Sequence, residues 1–200
     1  MAIIASDSGG GDFKIVPAAN HVGVCSMVVD LGKQRTEYMG QSKLKHQVYI
    51  AWELPHEQIE WTDKDGNERK GPMRIGKTYT VSLGKNAVLR AELENWRGRP
   101  FSEEEIKGFD ITRLAGAPAM INVTHVEKNG RTYANVVGVT PLPKGMEKPG
   151  LFDAALVYDD EHLSTFEYLP EWLQKKVQEQ VVEEKPQASY DRELEDEIPF

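Results

Sequence analysis

Residues 74–97 read RIGKTYTVSLGKNAVLRAELENWR. The first ten are rich in Thr, Tyr and Val, whose branched or aromatic side chains suit a pleated, half-buried surface, and they predict a strand from Arg74 to Leu83. Gly84-Lys85-Asn86 breaks that strand and opens a helix running to about Arg97. Leu89, Leu93 and Trp96 recur at helical spacing and define its buried stripe. Gly98 supplies the left-handed residue that commonly ends a helix, and Pro100 stops it. Ser102 and Glu105 form a capping box for a short second helix that Gly108 ends. Asp110 caps one further turn, through Leu114.

Strands lie on both sides of this unit. His21–Leu31 (HVGVCSMVVDL) is a valine-rich strand with apolar residues on both parities, so both of its faces are covered. Gln34–Leu44 is polar and contains glycine, which predicts a loop. His46–Leu54 (HQVYIAWEL) is a second strand, and residues 62–72, charged and centred on Asp65-Gly66-Asn67, predict a long hairpin loop. After the helices, Pro118–Glu127 and Thr132–Thr140 are strands joined at Asn129-Gly130, a dipeptide that favours a type I′ turn. Residues 141–150 form a linker. A last helix starts with Pro170 at its first position and runs through about Val182, with Trp172, Leu173 and Val177 inward. The expected class is mainly β with a helical insertion (α+β). Five strands with a helix between the third and fourth is the layout of an OB-fold, a small, partly open Greek-key barrel. The expected divisions are a flexible N-terminus at 1–13, the barrel at 14–150, an acidic helical extension at 151–182 and a disordered acidic tail at 183–200.

Composition narrows the function classes. The chain has 200 residues and one cysteine, Cys25, which excludes an internal disulfide and a cysteine-based zinc site and suits a small core residue in a strand. No apolar run is long enough for a transmembrane helix. The opening MAIIASDSGGGDF lacks a basic segment followed by a long apolar one, so no secretory signal is expected and the cytoplasm is the default compartment. Net charge is −8, unevenly spread. Residues 21–150 hold 19 Lys/Arg against 16 Asp/Glu, whereas residues 151–180 and 181–200 each hold two bases against seven acids. A mildly basic body with an acidic C-terminal quarter points to nucleic-acid binding joined to an interaction tail; a neutral domain with a solubilising tail reads equally well.

The chain ends Leu194-Glu195-Asp196-Glu197-Ile198-Pro199-Phe200. An aromatic and a branched aliphatic at the extreme terminus have no core to join. They suit a partner with a hydrophobic pocket for Phe200 and Ile198 and basic residues for the carboxylates of Asp196, Glu197 and the terminus, with Pro199 between. This end resembles the C-terminal tip of bacterial single-stranded DNA-binding proteins, which recruits replication and repair enzymes. The segments PAANHVGVCSMVVDLGKQ, VYIAWELP, YTVSLGKNAVLRAELENWRGRPFSEEEIKGFD and GRTYANVVGVTPLPKG, spanning roughly residues 17–145, resemble a family of phage-encoded single-stranded DNA binders. The resemblance implies a role in DNA replication, recombination or repair in a bacterial host cytoplasm, with single-stranded DNA and replication proteins as partners. It is tied to no catalytic residue.

A single-strand binder needs basic side chains for the backbone and exposed aromatics for stacking. An OB-fold uses the loops between strands 1–2 and 4–5 as jaws. Here the jaws would carry Lys33, Arg35, Lys43 and Lys45, and Lys128 and Arg131. The candidate aromatics are Tyr38, Tyr49, Trp52, Tyr79 and Tyr133; Trp52 also fits a core position. Arg74 and Lys77 enter the third strand, Lys85 stands at a helix N-terminus that suits a phosphate, and Arg97 and Arg99 form the compact cluster WRGRP. Catalytic motifs for phosphate-loop, serine-hydrolase and zinc-protease chemistry are lacking, so no enzyme activity, metal or organic cofactor is expected. Two rivals stay open: an interaction protein that carries the tip but does not bind DNA, and a metal-dependent nuclease whose carboxylates are distant in sequence. The oligomeric state is open, and the helix after Pro170 suits either its own barrel or a neighbour.

Overall fold

The computed structural model describes residues 14–38, 40–62 and 65–181. Strands β1 (Asn20–Tyr38), β2 (Gln41–Thr62) and β3 (Glu68–Thr80) precede helices α1 (Val88–Arg97) and α2 (Glu103–Lys107) and a 3-10 turn (Ile111–Leu114). Strands β4 (Pro118–Lys128) and β5 (Arg131–Thr140) follow, then a short β6 (Leu156–Tyr158), a second 3-10 turn (Leu163–Tyr168) and α3 (Glu171–Gln178). The five long strands pair in the order β3-β2-β1-β4-β5, every ladder antiparallel. β3 and β5, at the two ends of that order, approach each other, so the sheet curls into a nearly closed barrel. Bulges at Cys25/Met27 and Asp30/Gly32 in β1 supply the bend that closure needs.

The barrel interior holds Cys25, Val28, Ile50, Trp52, Leu54, Ile121, Val123, Val136 and Val139, with α1 as its plug. The expected stripe of α1, Leu89, Leu93 and Trp96, is buried there. Trp96 meets Trp52 edge-on at 5.7 Å and donates its Nε1–H to the Pro118 carbonyl at 2.9 Å. Burying each such side chain stabilises the fold by ~1.5–3 kcal/mol, more than any surface contact on α1. The punctuation holds as well. Gly98 is left-handed at φ 69°, and Ser102 and Glu105 make the reciprocal capping box. Asp110 accepts from the Thr112 N–H, and Asn129 and Gly130 both take the positive φ of a type I′ turn.

Four expectations change. Gln34–Leu44 is not a loop: β1 and β2 remain paired as far as Tyr38↔Gln41, forming a two-stranded ribbon. Both of its faces are wet, so it carries none of the apolar alternation by which a strand is recognised. Residues 62–72 are not a long loop either, because β2 runs to Thr62 and β3 resumes at Glu68. The central helix starts at Val88, with Gly84–Ala87 a turn before it. The last helix has Pro170 at the capping position, one residue earlier than expected, and ends at Gln178. The segments expected to be flexible or disordered, 1–13 and 183–200, and with them the tip Asp196, Glu197, Ile198, Pro199 and Phe200, lie outside the described residues.

A second apolar layer covers the other face of β1, as its two apolar parities require, and of the two options for the last helix the chain's own barrel is the one observed. Leu169, Leu173 and Val177 pack on Met27, Val29, Leu31 and Ala51, on the outer face of β1 and β2. β6 pairs in parallel with Met27–Val29, taking the edge of β1 that β4, paired only with Asn20–Val24, leaves open. The layer is tied down within α3 by the Gln34 side chain donating to the Lys176 carbonyl at 2.9 Å and beyond it by the Val181 N–H donating to the Lys33 carbonyl at 2.8 Å.

Candidate nucleic-acid interface

Three of the five candidate aromatics are unavailable for stacking in this conformation. Trp52 is fully buried in the barrel. Tyr79 is buried too, and its burial together with the neighbouring Glu92 carboxylate holds its hydroxyl far above the ordinary tyrosine range. Tyr49 does face away from Val48 and Ile50, as alternation requires, but that side is covered. Trp172 of α3 meets its ring edge-on at 5.0 Å, and burial pushes its hydroxyl up to about 12. A Cβ on Gly76 would fall 2.1 Å from the Tyr49 hydroxyl, so the ring lies flat over β3 at a glycine. Trp172, expected inward, is half exposed because it edges this ring from outside. Tyr38 ends β1 opposite Gln41.

Several candidate cations are engaged by acids of the fold. Arg74 donates to Glu53, which is wholly buried, at 3.0 Å and to Asp153 at 3.3 Å. Lys77 reaches Glu92 of α1 at 3.1 Å. Arg97 lies over Phe101 at 4.4 Å, and both Arg97 and Arg99 donate to Glu105. Those two guanidiniums and the Ser102 N–H hold the Glu105 carboxyl well below the usual range. The WRGRP cluster is therefore a clamp between α1 and α2. Lys85 is exposed beside an open groove of about 610 Å³ at the start of α1, whose first turn has no acid.

The first jaw is split. In the β1–β2 ribbon Lys33 pairs with His46 and Arg35 with Leu44, while Lys43 pairs with Thr36 and Lys45 with Gln34. Cross-strand partners share a face and alternate pairs face opposite ways, so Lys33 and Arg35 lie on one face and Lys43 and Lys45 on the other. All four are exposed. The ribbon and the β4–β5 hairpin also leave β1 at opposite ends, because β4 pairs only with Asn20–Val24.

The second jaw is coherent. In β4–β5 the pairs Lys128↔Arg131, Val126↔Tyr133 and Thr124↔Asn135 share one face. The pairs Glu127↔Thr132, His125↔Ala134 and Val123↔Val136 share the other, which is the core side. Beyond the bulge at Asn122/Val123 the outer face continues through Asn122 to its cross-strand partner Asn20, and the two amides bond at 2.6 Å. Register thus puts the only carboxylate of this hairpin, the exposed Glu127, on the face opposite Tyr133. Among the described residues of the hairpin, the outward side carries two cations, a half-exposed tyrosine and amides. Tyr133, Val126 and Val137 are each about half exposed.

Sequence reasoning missed Trp61, which is 46% exposed on the β2–β3 hairpin. Its indole lies on Gly71, where an added Cβ would sit 3.2 Å from the ring and 3.6 Å from the ring of Phe152. The signal available was its place in the alternation Ile59-Trp61, which lies beyond the expected end of the second strand at Leu54.

Among the described residues no three His, Cys, Asp or Glu side chains are placed to hold a metal ion, and no helix is long and apolar enough to cross a membrane. Compared with known proteins, the chain matches no family model and no curated protein.

Proposed function

We propose that this chain is a sequence-tolerant single-stranded DNA-binding protein with an OB-type body. In this reading it acts in replication, recombination or repair of a phage or bacterial genome, without catalytic activity of its own. The observation that carries the reading is the outward face of β4–β5, where Tyr133 stands between Lys128/Arg131 and Asn135/Asn122 with the hairpin's acid turned away. Phosphate neutralisation and base stacking need this combination. The strand order β3-β2-β1-β4-β5, the helix between β3 and β4 and the near approach of β3 to β5 suit an OB barrel. The acidic terminus Asp196–Phe200 recruits partner enzymes by its carboxylates and its two apolar side chains, and the host cytoplasm is the compartment.

Fluorescence anisotropy of a labelled oligo-dT tests this across a salt series with duplex DNA as competitor. The expected result is binding that weakens steeply with salt and resists duplex. Absence of binding at low salt, both by the full chain and by one ending at residue 182, overturns the reading and leaves a tip-bearing interaction protein that does not touch DNA. Cleavage that needs a divalent ion would instead mark a nuclease.

A further inference from the structure

We infer that Trp61, with Phe152 beside it and Arg69 across from it, is a second base-stacking station for the single strand received at Tyr133; the inference rests on the single-strand reading above. The β2–β3 hairpin also sorts its residues by face, here with the aromatic on the side of Ile59, which packs against the barrel core. Trp61 pairs with Arg69 and Ile59 with Gly71 on one face, while Glu60 pairs with Lys70 and Thr62 with Glu68 on the other. Glu60 and Lys70 meet at 3.2 Å on that second face. The face bearing the indole also carries Ile59, Arg69 and Gly71, with Glu60 and Glu68 on the opposite side.

Covering Gly71 accounts for one side of the indole, as an aromatic ring commonly shields a glycine in a strand. It does not account for Phe152. That residue comes from the C-terminal layer, is 62% exposed, and is fixed by its own N–H donating to the buried Glu53 at 3.2 Å. Single exposed apolar side chains are ordinary on a protein surface. Two rings brought from distant parts of the chain onto one glycine, both open to solvent, make a platform for a flat π-system.

The placement also suits one continuous ligand. β2 runs past β1 from Glu53↔Val24 to Thr62, and β4 runs past it from Asn122↔Asn20 to Lys128. Both hairpins thus project beyond the same, N-terminal end of β1, one on each side of it. The segment before β1 ties them together. The Lys14 ammonium donates to the Gln58 carbonyl at 3.1 Å, the Val16 carbonyl bonds the His125 ring at 2.8 Å, and the Ala19 carbonyl accepts from the Val123 N–H at 2.9 Å. The Trp61 and Tyr133 arms are held to a common base.

Intrinsic fluorescence reads this directly in the full chain. Trp52 and Trp96 are buried, Trp61 and Trp172 are about equally exposed, and Trp172 lies on α3 against Tyr49, so loss of the quench in W61F is what assigns it to Trp61. Oligo-dT is expected to quench the wild-type emission, and W61F is expected to lose most of that quench while binding about as tightly. W61A and F152A are expected to weaken binding roughly 5- to 150-fold, the range that loss of one stacked base produces. Circular dichroism and thermal midpoint confirm that each variant is folded. An unchanged quench in W61F, or W61A binding within about twofold of wild type, overturns the inference and leaves the single-strand reading standing. Failure of the wild-type chain to bind oligo-dT removes both.

Discussion

Two tyrosines of similar sequence context have opposite fates, and the difference comes from their surroundings. Tyr49 and Tyr133 both sit on strands with their rings turned away from the barrel interior. Tyr49 is roofed by Trp172 and lies over Gly76, whereas Tyr133 is half exposed beside Val126. Tyr133→Ala is therefore expected to lower affinity for oligo-dT by about 1–3 kcal/mol, the value of one base stack. Its thermal stability should stay within about 0.5 kcal/mol of wild type, as for other surface changes. Tyr49→Ala should do the reverse, destabilising the fold by about 1–3 kcal/mol through lost ring packing and leaving affinity near wild type. Anisotropy and thermal unfolding of the two variants decide it; equal loss of affinity in both would show that α3 leaves its seat when DNA binds. Alternation in the sequence turns Tyr49 away from Val48 and Ile50, and it left Tyr133 open. It carried no information on what covers them, because the cover comes from more than a hundred residues away.

At the level of elements, the legible parts were those written locally. The stripe Leu89/Leu93/Trp96, the left-handed Gly98, the Ser102–Glu105 box and the Asn129-Gly130 turn each rest on residues a few positions apart. The basic cluster around Arg97 and Arg99 was legible as a cluster, but its partner was not. Glu105 was assigned to its own helix cap, and it also accepts from both arginines, fastening α1 to α2. This double duty has a pH signature. Its folded carboxyl lies below the unfolded value of 4.5, so the stability it contributes is present above that value and is lost as pH falls through the folded one. Glu105→Gln is expected to lower the thermal midpoint at pH 7, with the gap to wild type constant above about pH 5.5 and shrinking progressively below 4.5. Melting curves of both proteins at pH 7 and pH 3 test this, and a gap of equal size at both pH values would refute it. The wet ribbon of β1–β2 was illegible for a different reason: a ladder exposed on both faces leaves no hydrophobic period to read.

For the whole molecule, the question is how the acidic C-terminal quarter divides between structure and regulation. Residues up to 181 include Leu169, Leu173 and Val177, all buried on the sheet. At ~1.5–3 kcal/mol each these stabilise by roughly 5–9 kcal/mol, comparable to the whole stability of a typical domain. No plausible surplus of DNA-binding energy displaces such a layer cheaply, so the outer face of β1–β2 stays closed and the strand is left with the hairpin arms at the other end of the sheet. The last 18 residues are different in kind: seven acids, two bases and an apolar tip. On the proposed single-strand reading, such a polyanion would compete with DNA for the same cations. Ending the chain at residue 182 should therefore leave the thermal midpoint unchanged and raise oligo-dT affinity at low salt, the gain vanishing near 0.5 M salt, where screening extends only a few ångströms (about 4–5 Å). Ending it at residue 150 should remove the layer and leave a chain that no longer melts cooperatively at the wild-type temperature. A 150-residue chain as stable as wild type would make the layer an ornament and reopen the β1–β2 face to DNA. Equal low-salt affinity of the full chain and the 182-residue chain would confine the tail to recruiting partners.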